Sequence, residues 1–147
     1  MNKKNLFETD EHAWIFEQIN RLDPLDVENI DTSNLKRLLE DLAKSDRSEI
    51  RSRLIVLLMH LLKFKYQPNM ATNSWRNTVL TQRRQILEKI EESGTLRNYL
   101  KDVFNKVYPK AREDAVIETG LPEKTFPKKC PFSLKQVLDP KFFGGQK

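Results

Sequence analysis

The sequence predicts an all-α fold, an irregular bundle of five to six helices around a long central antiparallel helical hairpin. Three observations carry that prediction. Apolar residues recur near a 3.6-residue period along most of the 147 residues. No stretch alternates apolar and polar convincingly enough to read as a half-buried strand. The four glycines and seven prolines gather at a few points and leave long runs uninterrupted. The length fits one domain over residues 1–147, with 1–8 and 141–147 expected to fray. Nineteen leucines and fifteen valines or isoleucines suffice for one modest core.

The first element starts at Thr9, a candidate N-cap followed by Asp10 and Glu11, whose charges suit a helix N-terminus. Trp14, Ile15, Ile19 and Leu22 give it one apolar face, and Pro24 ends it. Asp31-Thr32-Ser33 starts a second helix, whose stripe runs through Leu35, Leu38, Leu39 and Leu42 and on through Ile50, Leu54, Leu57, Leu58, Leu61 and Leu62. Residues 32–66 contain no Gly or Pro, so one helix or two would fit. The stripe loses its apolar residues at Lys44-Ser45-Asp46, which favours two coaxial or gently bent segments. Pro68 stops this element. Thr72-Asn73-Ser74 offers caps for a third helix to about Ser93, with Trp75, Val79, Ile86, Leu87 and Ile90 as its stripe. Ser93 caps the next, which carries Leu96, Tyr99, Leu100, Val103, Phe104 and Val107. Pro109 is expected to kink or restart it, and Gly120 to close it in a left-handed conformation. Prolines 122, 127, 131 and 140 punctuate the remainder, with a short helix from Ser133 to Leu138 between the last two.

Charge and composition exclude several classes. The net charge of +5 conceals a gradient. Residues 1–46 hold six basic and eleven acidic groups, 47–112 fourteen and five, and 113–147 six and five. The basic middle can attract nucleic acid or an acidic partner, or be neutralised by the acidic first third within one chain or a dimer. The apolar run 54–62 is too short to cross a bilayer, for which roughly 20 residues are needed, and Lys3 and Lys4 are followed by acids and no apolar leader core. No membrane association is therefore expected. The single Cys130 makes an internal disulfide impossible and a reducing, cytoplasmic location the expectation. Four glycines leave no dinucleotide fingerprint or phosphate loop, so no cofactor is expected.

Candidate chemistry is sparse. His12 and His60 lack ligand sets, which gives no metal site. Cys130, between Lys129 and Pro131, has no histidine nearby and reads as a packed small hydrophobe. No catalytic residue is expected. The most specific feature is a pair of polar interruptions in apolar stripes. If the second and third helices fold back about Met70, residue 60 lies opposite about residue 81, so His60 would meet Gln82 and Arg83. The meeting is either a hydrogen-bonded pin fixing the hairpin or a small polar pocket of His60, Lys63, Tyr66, Gln67, Trp75, Gln82 and Arg83, and the pin is the favoured reading. Lys63, Lys65, Arg76, Arg83, Arg84 and Arg97 interleave with Phe64, Tyr66 and Trp75, a mix that could bind nucleic acid. The core spacing of Phe64 and Trp75 argues against that.

Several strings resemble a family. His60-Leu61-Leu62-Lys63, Tyr66-Gln67-Pro68, Ser74-Trp75-Arg76 and Gln82-Arg83 are similar to the bacterial domain-of-unknown-function family number twenty-nine. So are Asp10 with Trp14, Ile30-Asp31 with Asn34 and Leu35, Tyr108 with Ala111-Arg112, Glu118-Thr119-Gly120-Leu121, Phe126-Pro127 and Cys130-Pro131. The resemblance spans nearly the whole chain and implies an all-helical fold, with no assigned activity, cofactor or catalytic residue. Three departures stand out. Arg37 and Leu38 occupy positions where the family usually carries two glutamates, Ala43 stands at a common glycine, and Pro109 falls inside a usually continuous helix. The expectation is a non-enzymatic module that docks an unidentified protein partner or self-associates. A nucleic-acid-binding regulator using residues 47–112, and a small enzyme or ligand-binding protein using the His60 pocket, are the alternatives.

Overall fold

The computed structural model describes residues 3–22 and 26–145. Six helices and no strand are present among them: α1 (Lys3–Thr9), α2 (Glu11–Leu22), α3 (Thr32–Tyr66), α4 (Asn73–Glu92), α5 (Gly94–Thr119) and α6 (Leu134–Leu138). No helix among the described residues is long and apolar enough to cross a membrane. The chain divides into two compact units, Met1–Ser45 and Asp46–Lys147. The expected stop at Pro24 lies outside the described residues, as does the expected fraying of residues 1–2 and 146–147. Residues 3–8 belong to α1.

α3 is a single helix of 35 residues, not the two segments expected. Lys44-Ser45-Asp46 interrupts the apolar stripe but contains neither Gly nor Pro. Such residues cost a helix only tenths of a kcal/mol, so loss of burial there does not break the backbone.

The N-terminal unit is organised by Asp31, the residue before α3. Its carboxylate accepts from the Asn34 backbone N–H at 3.2 Å, from Asn34 Nδ2 at 2.9 Å and from the indole N–H of Trp14 at 3.0 Å, and its own N–H donates to Gln18 Oε1 at 2.8 Å. One buried acid therefore caps α3 and selects the inward face of α2, Trp14 and Gln18. This corrects the expected face: Ile19 and Leu22 point to solvent. Asp10, not Thr9, accepts from the Ala13 N–H at the start of α2.

In the C-terminal unit the core is built from Ile50, Leu54, Leu57, Leu58, Leu61 and Leu62 of α3, Val79, Ile86 and Ile90 of α4, and Leu100 to Ala115 of α5. The expected caps are found. Thr72 accepts from Trp75 N and Ser93 from Leu96 N, while Ser133, expected inside the last helix, precedes α6 and forms a capping box with Gln136. Gly120 adopts φ 71° and donates to Val116 O, closing α5 in the left-handed conformation that glycine tolerates. Pro109 sits inside α5 without ending it, against the expected restart. Its ring removes one backbone donor, and helix continues on both sides because Val107, Tyr108, Ala111 and Ala115 are all buried.

Candidate functional site

The α3–α4 hairpin is antiparallel, with a register different from equal counting about Met70. Lys89 Nζ lies 2.8 Å from Asp46, Arg53 Nη1 donates to Gln82 Oε1 at 3.1 Å, and the Phe64 and Trp75 rings meet edge to face at 5.6 Å. The α4 residues thus face α3 residues nearer the N-terminus of α3 than expected, by about two residues beside the loop and about six farther from it. The connection explains the offset. A tight turn at Pro68–Met70 follows α3 almost directly, while Ala71 and Thr72 are extended on the α4 side.

The structure consequently gives His60 and Arg83 different partners. Gln82 meets Arg53, about two turns before His60. Arg83 is 2% exposed, and its Nε donates to Val137 O at 2.8 Å and its Nη2 to Phe142 O at 2.6 Å. Its Nη1 is buried without a hydrogen bond, and the guanidinium lies 5.7 Å from the Phe143 ring centre. Burial lowers its pKa and the nearby Asp139 opposes that. Arg83 thereby fastens the C-terminal segment to α4.

Lys63 and Trp75 do come together. Lys63 is 5% exposed, with its ammonium 4.2 Å above the indole ring and 3.6 Å from Glu118 Oε1. The aromatic face and the carboxylate offset the loss of hydration of a buried cation. His60, one turn earlier and half-buried, approaches Val56 O at 2.9 Å through Nδ1. A carbonyl only accepts, so Nδ1 carries the proton in the neutral ring. Burial lowers the His60 pKa most; the Val56 hydrogen bond raises it, Lys63 lowers it and Glu118 raises it. Tyr66 packs edge to face on Phe126 at 5.4 Å, and burial raises its phenol pKa. Gln67 ends α3, its N–H donating to Lys63 O and its carbonyl accepting from Met70 N.

Two clamps escaped the reading of the sequence. Tyr108 donates its hydroxyl to Pro127 O at 2.6 Å, and burial foremost pushes its pKa up to about 12. Arg112 donates to Phe126 O, Glu123 O and the Glu123 carboxylate. With Arg83, these residues hold the proline-punctuated segment, whose extended backbone has few partners of its own. Only the co-occurrence of isolated polar residues on apolar helices with a Pro-rich tail hinted at this. Of the residues read as a nucleic-acid surface, Lys63, Phe64 and Arg83 are buried, while Arg76 lies 4.4 Å from the centre of the Phe143 ring.

The residues that carry these clamps are also those that carry the resemblance, and the match is nearly full length. A family described as "Domain of unknown function DUF29" matches residues 6–143. The chain belongs to this family. The DUF29 match comes with no assigned activity. Neither the curated proteins nor the solved structures contain a match.

The N-terminal unit of this DUF29 chain carries an exposed apolar surface. On α3, Leu39 is 57% and Leu42 55% exposed, and an open groove of about 490 Å³ is lined by Thr32, Leu35, Lys36, Leu39, Glu40 and Ala43. On α2, Phe16 and Ile19 are exposed as well. The period of these leucines was visible in the sequence; that no described residue of their own unit covers Leu39 and Leu42 was not.

Proposed function

We propose that this DUF29 protein is a non-enzymatic docking module whose working surface is the apolar face of its N-terminal unit. The observation that carries this reading is the pair Leu39 and Leu42, each more than half exposed on a helix whose apolar stripe is fully buried only from Ile50 onward. Isolated exposed apolar residues are ordinary, but a helical stripe of them beside a groove is the pattern of a surface that binds another helix. The polar cluster around Lys63 supports the same reading from the other side. Its cation is neutralised, its indole packed and its imidazole bonded to backbone, which is the chemistry of a fastening and leaves no paired acid and base.

The test is a photo-crosslinking amino acid placed at Leu39 in the producing cells, with the same group at exposed Lys101 as control. A discrete adduct with a polypeptide at position 39 and none at 101 is expected. Absence of any adduct at 39 above the control removes the reading.

A further inference from the structure

We infer that the occupant of this face is a second copy of the chain, paired antiparallel along α3 about the junction of Leu38 and Leu39. The inference rests on the docking reading above and names the partner. A two-fold axis requires a surface that complements itself. The segment Leu35-Lys36-Arg37-Leu38-Leu39-Glu40-Asp41-Leu42 does so on one face and one flank. Counted outward from its centre, Leu35 of one copy falls at the level of Leu42 in the other, with the two Leu39 side chains on either side of the axis.

The side-chain placement agrees. Leu35, Leu39 and Leu42 share one face, and Leu39 and Leu42 are the exposed members. Lys36 and Glu40 lie together on one flank, 3.9 Å apart and largely exposed. An antiparallel two-fold brings like flank to like flank. Lys36 of one copy then stands within one residue's rise, about 1.5 Å, of the level of Glu40 in the other. The opposite flank carries Arg37 and Asp41, and there Arg37 already sits 5.6 Å from the Phe7 ring centre. The Lys36–Glu40 flank is therefore the one open to a second chain. Residues 1–45 hold six basic and ten acidic groups, so two such units repel at long range. At physiological salt, screening over about 8 Å leaves the near pairs to decide the register.

The experiment is sedimentation of the full chain over a wide concentration range. A reversible dimer is expected, weakened by at least about 30-fold in Leu39→Glu, because two carboxylates would be buried against leucines. Lys36→Glu and Glu40→Lys should each weaken it about tenfold. An equimolar mixture of these two variants should regain it. Mixing repairs pairs between chains and cannot repair the pair within one helix, so recovery isolates the intermolecular contact. A chain monomeric at every concentration, a dimer indifferent to Leu39→Glu, or a mixture that stays monomeric overturns the inference. The docking reading fails separately: an adduct at position 39 with a different polypeptide sinks the second copy and keeps the module, whereas no adduct sinks both.

Discussion

Replacing Arg83 with methionine tests whether this buried cation is a fastening. The wild-type guanidinium makes two charge-assisted hydrogen bonds to backbone carbonyls, at 2.8 Å to Val137 and 2.6 Å to Phe142. Hydrogen bonds of that kind contribute about 1.5–3 kcal/mol each. Removing the side chain also abolishes a buried cation whose Nη1 has no hydrogen bond, which returns about 1–3 kcal/mol. The balance is a destabilisation of about 3 kcal/mol, or roughly 10 °C in melting temperature for a chain of this size. The loss should be local first. α6 and the residues after it contain Lys135 and Lys141, so trypsin should cut there in Arg83→Met well before the core unfolds. Arg83→Lys keeps the charge but cannot reach both carbonyls, and should fall between. An Arg83→Met protein that melts with the wild type and resists trypsin equally would refute the argument.

Three further outcomes are expected. Burial holds the His60 pKa below its ordinary value, so the unfolded chain takes up a proton first; stability is full above pH 6.5 and declines as pH falls toward the folded value, and His60→Phe should flatten that decline in acid melts. Tyr108→Phe should cost about 1 kcal/mol in denaturant melts; in the wild type the unfolded phenol ionises near pH 10 and the folded one near 12, so stability falls across that interval and the variant should lose that part of the slope. Lys63→Met should leave stability within about 1 kcal/mol of wild type, because a buried cation replaced by a matching apolar chain sheds its desolvation cost, whereas Trp75→Ala should lose about 3 kcal/mol; a large loss in Lys63→Met would show that the pair is worth more than the packing.

Helix content and boundaries could be read from local signals. Thr72, Ser93 and Ser133 are caps whose partners lie three residues on, and Gly120 acts on its own turn. The burial of residues 54–62 followed from their apolar density alone. What could not be read depended on distant partners. The register of the hairpin turned on how two extended residues divided the loop. Arg83 reaches carbonyls 54 and 59 residues away, which no spacing within α4 reveals. Period also cannot tell a covered face from an uncovered one: Leu58 and Leu39 lie in stripes of the same kind, one fully buried and the other mostly exposed. Trp14 and Gln18 took the inward side of α2 because Asp31 could bond both, a choice made by polar contacts against the apolar count.

The double variant Leu39→Glu with Leu42→Glu separates a docking face from a core face in one preparation. Its melting temperature and its sedimentation coefficient at high concentration are to be measured beside the wild type. Two solvent-facing leucines should be replaceable with the melt moving by no more than a few degrees while association is lost. A melt that collapses, or an association that survives, would contradict the assignment of this helix face to a partner.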